Sequence, residues 1–217
     1  SKGHIWSLNK WFKNIKNLKP KYIIFYMGIN ESENNEARGD PQPYQLNTVK
    51  LIDKIKKYAK INNGITYKTY LKFTLSKSAL LNVWHDPKRY NLPYKKIGPE
   101  TKKFKDIAFR RLERKLGEII NLVNEIEAKP IFVTQKSLRW KIVGDSIYSV
   151  DNINYYYNEM KISETIINYC IKNNIKYIDG FKNLELKKKD TWDLVHTSPS
   201  GSNKIANLIF DEIFYLF

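Results

Sequence analysis

Residues 21–31 of the chain read KYIIFYMGINE, an apolar run that ends in a glycine, an asparagine and a glutamate. A continuous apolar run of this length, introduced by Pro20, is typical of a parallel strand that is covered on both faces. Residues 131–134 and 175–178 repeat the pattern, the first after Lys129-Pro130 and the second before Asp179-Gly180. The sequence therefore predicts three buried parallel strands.

Helical patterns separate these strands. Apolar residues recur every three or four positions over residues 5–18, 46–61, 101–127, 155–172 and 202–217. Strands that alternate with helices predict an α/β fold in which a parallel sheet is flanked by helices. Residues 67–98 lack this periodicity and are too numerous for an ordinary connection. We interpret them as an irregular insertion, either a lid or substrate wall or a surface excursion with its own apolar patch.

Composition limits the classes of protein. The 217 residues, of which 42% are apolar and 14% aromatic, suit a single globular domain over residues 1–217. No apolar run reaches the length of about 18 residues that a membrane-spanning helix needs. The single cysteine rules out an intrachain disulfide, and its place on an apolar helix face predicts that Cys170 is a core residue.

The formal net charge of +16 raises the question of a polyanionic partner. The lysines are spread along the chain, and neither zinc-finger spacing nor an aromatic nucleic-acid signature accompanies them. The charge pattern therefore does not favour nucleic acid as the partner. Three scattered histidines with one cysteine give no zinc site, and there is no glycine-rich phosphate loop. The sequence therefore predicts no metal site.

Gly28 and Asn30 follow the carboxyl end of the first predicted strand. In open α/β sheets, ligands bind outside the carboxyl ends of the strands. A glycine permits a sharp turn there, and an asparagine amide can donate to an oxyanion. Both residues are also ordinary turn formers, so a catalytic and a purely structural interpretation both stay open at this point.

Residues 193–203 read DLVHTSPSGSN and place an acid three residues before a histidine. A carboxylate on Nδ1 holds an imidazole in the tautomer that a general base needs, and this spacing lets one loop supply both groups. Ser198 and Ser200 are candidate N-caps of the last helix. The alternative is a loop in which Asp193 forms a turn and His196 is merely exposed.

On these residues the chain resembles the SGNH/GDSL hydrolases, which are serine esterases, lipases and carbohydrate acyl-esterases or acyltransferases with a three-layer flavodoxin-like fold. The family's Gly-x-Asn-Asp block resembles residues 28–31, with Glu31 in the last position, and its terminal Asp-x-x-His block resembles residues 193–196. The resemblance implies that His196 is the general base, that Asp193 is its orienting acid, and that no cofactor takes part.

The same resemblance implies an oxyanion hole made by Asn30 and, through its backbone N–H, Gly3. The nucleophilic serine of the family lies in a Gly-Asp-Ser block after the first strand, upstream of these residues. We therefore expect an N-terminally incomplete domain that lacks the first strand or strands and the serine block. The triplet that ends in Ser146 is a weak decoy, because it lies in the wrong place and is common turn chemistry.

The resemblance implies a serine-type ester hydrolase or O-acyltransferase for acyl esters of a glycan or a lipid, inactive as this stretch alone, with an extracytoplasmic or membrane-associated location. A non-catalytic domain of the same fold that binds a glycan or a protein partner is the alternative, followed by an anion- or nucleic-acid-binding module. Tyr155, Tyr156 and Tyr157, with Trp140 and Tyr148, are either a platform for a sugar or a cover for the core.

Overall fold

Three parallel strands form the central sheet of the part of the chain that the structure describes. The computed structural model describes residues 2–31, 93–98, 106–150 and 155–216, all of which lie in the unit formed by residues 1–40 and 93–217. The predicted helix over 46–61, and the predicted insertion over 67–98 apart from its last six residues, lie outside the described residues.

The described strands are β1 (Tyr22–Met27), β2 (Lys95–Lys96), β3 (Lys129–Thr134), β4 (Trp140–Val143), β5 (Ser146–Ser149) and β6 (Lys176–Ile178). The described α-helices are α1 (Lys2–Lys10), α2 (Asp106–Asn124), α3 (Tyr155–Lys172), α4 (Gly180–Asn183) and α5 (Pro199–Ile213). None of these helices is long and apolar enough to cross a membrane.

Among the described residues, the main sheet has the strand order β1-β3-β6, and both of these pairs are parallel. Met27 lies opposite Thr134, and Val133 lies opposite Ile178. Because these residues end their strands, the carboxyl ends of all three strands meet at one edge of the sheet. The short strands β2, β5 and β4 form a separate antiparallel sheet in that order.

Helices cover both faces of the main sheet. On one face, α1, α2 and α3 pack against β1 and β3 through a cluster that contains Leu8, Phe25, Leu116, Ile119, Phe132 and Ile166. On the other face, Ile213 of α5 packs against Ile131, Val133 and Ile178. The predicted α/β class, a parallel sheet between helical layers, is confirmed.

Several helix boundaries differ from the predicted ones, and two of them have a clear local cause. The predicted helix over 5–18 ends at Lys10, and a 3₁₀ turn follows before Asn17 takes a left-handed conformation (φ 63°), which is typical of a chain leaving a helix. The last helix begins at Pro199, three residues earlier than predicted. Ser198 caps it by accepting the N–H of Gly201, and proline is well suited to the first helical position.

Cys170 lies on the inward face of α3 and is fully buried, as predicted. Burial raises the pKa of its thiol to about 12. The thiol is therefore protonated at physiological pH and packs as a small apolar side chain.

Two isoleucines on helices give a direct test of this core. Ile119 of α2 is fully buried, whereas Ile171 of α3 is 60% exposed. Ile119→Ala should lower the free energy of unfolding by about 2–5 kcal/mol, because it removes buried methylenes and leaves a cavity. Ile171→Ala should change it by less than about 0.5 kcal/mol. Urea unfolding of both variants measures the difference, and equal effects would contradict the layer arrangement.

Candidate active site

The loop that precedes α5 presents the acid and histidine singled out in the sequence. Thr191 and Thr197 form an isolated antiparallel bridge, and the N–H of Trp192 donates to the carbonyl of His196 at 2.7 Å. These contacts close residues 191–197 into a narrow loop. We call it the histidine loop.

Asp193 and His196 form a hydrogen-bonded pair within this loop. One carboxylate oxygen of Asp193, Oδ2, lies 2.6 Å from Nδ1 of His196. The other, Oδ1, accepts the backbone N–H groups of Val195 at 2.8 Å and His196 at 2.7 Å. The aspartate thus holds both the backbone and the ring of the histidine, and Nε2 lies on the opposite edge of the imidazole.

The surroundings of the pair keep the aspartate ionised. Partial burial by itself raises the pKa of Asp193, but the hydrogen bonds from the backbone and ring of His196 and from the Val195 N–H outweigh it, so the pKa of Asp193 is lowered. The side chain of His196 is 78% exposed. A carboxylate that stays charged beside an accessible imidazole can hold the neutral tautomer and stabilise the imidazolium.

The base of the histidine loop is fixed by a buried carboxylate that sequence reasoning missed. Asp190 is fully buried and accepts hydrogen bonds from the Lys187 N–H at 2.7 Å, the Ser200 hydroxyl at 2.6 Å and the Lys204 ammonium at 2.8 Å. Its carbonyl accepts the N–H of Ser198 at 2.9 Å. Asp190 therefore ties the start of the loop to the first turns of α5.

The ionisation of Asp190 should make stability depend on acid. Hydrogen bonds from Lys204, Ser200 and the Lys187 N–H hold the pKa of Asp190 well below its usual range. A folded-state pKa below the unfolded value of about 3.9 gives a stabilisation that is present above that pH and is lost as the pH falls through the folded pKa. Asp190→Asn should therefore lower the melting temperature at pH 7, with the gap to the parent closing toward pH 2. A gap independent of pH would contradict this role.

The turn after β1 supplies the second predicted half of the site. Gly28 has φ +151°, a conformation that favours glycine. Its carbonyl accepts the N–H of Glu31 at 2.9 Å, which closes a 3₁₀ turn over Ile29–Glu31. Asn30 lies in the middle of this turn, and its side chain is outside the described part of the structure. Glu31 forms a buried ion pair with Lys115 at 3.9 Å, which ties the turn to α2.

The segment after β3 connects the two halves. The side chain of Gln135 accepts the N–H of Ile29 at 2.9 Å and donates to the carbonyl of Tyr26 at 3.2 Å. Three residues later, the N–H of Leu138 donates to the carbonyl of Leu194 at 2.8 Å. Residues 135–138, which we call the bridging segment, thus contact both the turn that carries Asn30 and the histidine loop. Both halves lie at the carboxyl edge of the sheet.

Two other residues that the sequence singled out, Gly3 and Ser146, have fewer structural contacts that support a catalytic role. Gly3 lies in the first turn of α1, where backbone N–H groups have no partner within the helix, and its role as an oxyanion donor stays a prediction. Ser146 begins β5 after the two-residue turn Gly144-Asp145, and it pairs with Val143 in an antiparallel hairpin. This is not the strand-to-helix elbow that a nucleophilic serine of an α/β hydrolase occupies.

Within the described ranges, no group of three His, Cys, Asp or Glu side chains could hold a metal ion. Two cavities lined by described residues, of about 710 and 640 Å³, include neither Asp193 nor His196. The Asp193-His196 pair, which we call the dyad, instead lies on the surface of the part of the chain that the structure describes.

No protein-family model and no curated protein matches the chain. Similar solved structures include an acetylxylan esterase from Geobacillus stearothermophilus in a catalytic-mutant form, with 13% identity over 96% of this chain and 67% of that one and a TM-score of 0.46. A GDSL-like lipase from Bacteroides thetaiotaomicron is 13% identical over 98% and 100% of the two chains, with a TM-score of 0.44.

A third similar structure, a Bacteroides fragilis protein assigned as an acylhydrolase, is 17% identical, with a TM-score of 0.39. The match covers 54% of this chain and spans 55% of that protein. One of the three is named a GDSL-like lipase, and the other two are named an esterase and an acylhydrolase. At these TM-scores the similarities carry no argument about activity, and the architecture rests on the strands and helices described above.

Proposed function

We propose that this chain carries the general-base half of a serine-type active site that hydrolyses or transfers acyl esters of a glycan or a lipid. One observation carries the proposal. The bridging segment joins an Asp-His pair with a 2.6 Å contact to the glycine turn of β1, so both lie at the edge of a parallel sheet where α/β proteins bind ligands.

In the proposed reaction, a serine hydroxyl attacks the ester carbonyl while Nε2 of His196 takes the hydroxyl proton. Asp193, held ionised by its three hydrogen bonds, stabilises the imidazolium that forms. The tetrahedral oxyanion is held by the Asn30 amide and by the Gly3 N–H. The imidazolium then gives its proton to the departing alcohol, and water or an acceptor hydroxyl releases the acyl group by the same steps.

The serine itself is proposed to come from outside the described residues. Among those residues, no serine occupies a strand-to-helix elbow. Ser137 follows β3 at the correct edge, but it is fully buried and its hydroxyl donates to Glu159 at 2.6 Å. Such a hydroxyl is not available for attack on an ester.

Labelling with a fluorophosphonate probe tests the proposal without knowledge of the substrate. The probe forms a covalent bond with activated serines, so the product of the whole gene should be labelled at a single serine that peptide mass spectrometry identifies. His196→Ala should abolish the labelling. Absence of labelling in the folded parent protein would favour the alternative, a domain of this fold that binds a glycan or a protein without turnover.

A further inference from the structure

A cavity of about 640 Å³ lies between β4, α3, α4 and residues 185–187. Its volume is in the range of small-ligand sites. Leu138 lines it and also donates its N–H to Leu194, so the cavity adjoins the histidine loop without including the dyad.

The cavity has an aromatic wall with fixed geometry. The Trp140 ring lies 4.9 Å from Tyr156 and 5.1 Å from Phe181, and these two rings are 5.9 Å apart. The indole N–H of Trp140 donates to buried Glu159 at 2.8 Å, and the same carboxylate accepts the N–H and hydroxyl of Ser137. The wall is therefore held in place before any ligand arrives.

A buried hydroxyl lines the same cavity with no partner among the described residues. The side chain of Ser163 on α3 has its Oγ buried, and the residue is only 4% exposed. A helical serine can bond the carbonyl four residues earlier, but this one does not. A buried hydroxyl without a partner is costly, and a ligand hydroxyl in the cavity would satisfy it.

Charged groups of both signs surround the aromatic wall. Four lysines and three carboxylates line the cavity: Lys136, Lys141, Lys182, Lys187, Glu164, Asp179 and Glu185. The Lys136 ammonium lies 5.3 Å from the centre of the Trp140 ring. Burial lowers the pKa of Lys136, although Glu185, Glu159 and Asp179 act in the opposite direction. An anionic group in the cavity would replace the hydration that this ammonium has lost.

We propose that this cavity binds a carboxylated sugar residue of an acidic oligosaccharide. The flat apolar face of a sugar ring fits Tyr156 and Phe181, sugar hydroxyls can bond Ser163 and the carboxylates, and the sugar carboxylate can pair with the lysines. A hydrocarbon chain would instead cover seven charged groups without bonding them, which is unfavourable. Binding at this cavity does not depend on ester hydrolysis.

Calorimetric titration of the product of the whole gene tests the site. The probes are tetragalacturonate, the neutral cellotetraose and decanoate. Tetragalacturonate should bind at least about tenfold more tightly than cellotetraose, with an affinity that falls as salt rises. No binding of tetragalacturonate, equal binding of the neutral sugar, or tighter binding of decanoate would each overturn the proposal. The fluorophosphonate result has no bearing on these outcomes.

Two pairs of variants locate the binding. Ser163→Ala should weaken binding about three- to tenfold while leaving the melting temperature unchanged or higher, because the lost hydroxyl has no partner. The control is Thr165→Ala on the same helix, whose hydroxyl donates to the Lys161 carbonyl outside the cavity. Lys182→Gln should reduce both the affinity and its salt dependence, whereas Lys172→Gln should reduce neither. An unchanged affinity in both Ser163→Ala and Lys182→Gln would refute the site.

Discussion

Replacing His196 with alanine should lower the rate of ester hydrolysis by about 10⁴-fold or more in the product of the whole gene. The imidazole is the proposed acceptor of the nucleophile's proton, and no water molecule at neutral pH replaces a base held 2.6 Å from its orienting carboxylate. Hydrolysis of p-nitrophenyl acetate, followed under single-turnover conditions, measures the loss. Because the His196 side chain is 78% exposed, the melting temperature should change little.

Two further variants test whether the loss of activity is specific to the Asp193-His196 pair. Asp193→Asn keeps the shape of the side chain but no longer fixes the required tautomer, so it should cost nearly as much activity. Lys189→Gln, an exposed change next to the loop, should leave the rate unchanged. If His196→Ala retained a tenth of the parental activity, the assignment of the general base would be wrong.

Gly201→Ala should destabilise the fold by about 3 kcal/mol or more, which corresponds to a fall in melting temperature of about 10 °C. A Cβ atom at this position of α5 would lie 1.9 Å from the backbone carbonyl oxygen of Asp190. That oxygen also accepts the Ser198 N–H, so the helix cannot move away without breaking the cap and the base of the histidine loop. The variant should lose the proposed esterase activity together with stability.

Gly3→Ala is the matched control for this substitution. Gly3 is also helical, but no atom lies within 4 Å of a Cβ built there. An alanine at such a position should be neutral or should stabilise the protein by up to about 1 kcal/mol, since it restricts the unfolded chain. Thermal unfolding of the two variants compares them directly. A melting temperature of Gly201→Ala equal to that of Gly3→Ala would contradict the close approach of Asp190 to α5.

The features that could be predicted from the sequence depend on local interactions. The three parallel strands can be read from apolar runs that have a proline or a glycine near one or both ends. The cap of the last helix is also local, although the sequence leaves both Ser198 and Ser200 as candidates and the structure selects Ser198. The Asp193-His196 contact is equally local, because three residues of loop bring the two side chains together. Apolar runs and short motif spacing are sufficient to predict these elements.

The features that could not be predicted depend on distant residues or on burial. Gln135 binds the turn at Ile29 across 106 positions of sequence, a contact that exists only because β1 and β3 pair. A polar residue directly after a buried strand was the one available signal for it. Asp190 follows three lysines, a pattern typical of an exposed loop, yet contacts with α5 make it a fully buried anchor.

The contacts among the aromatic rings likewise depend on residues that are distant in sequence. From the sequence, three consecutive tyrosines with Trp140 and Tyr148 form either a platform for a sugar or a cover for the core. In the structure, Trp140 packs with Tyr156 and with Phe181, whereas the Tyr148 ring faces the Lys141 ammonium at 5.9 Å. Phe181 lies 41 positions beyond Trp140 in the printed sequence, and only the return of the chain through β6 places it there.

The single cysteine can report local unfolding of the protein without an added label. Cys170 is fully buried between the helical layer and the sheet, with a thiol that stays protonated at neutral pH. A thiol reagent can modify it only in molecules where α3 has separated from the rest of the core. The rate of modification of the unaltered protein therefore measures how often that helix detaches, and no label has to be engineered.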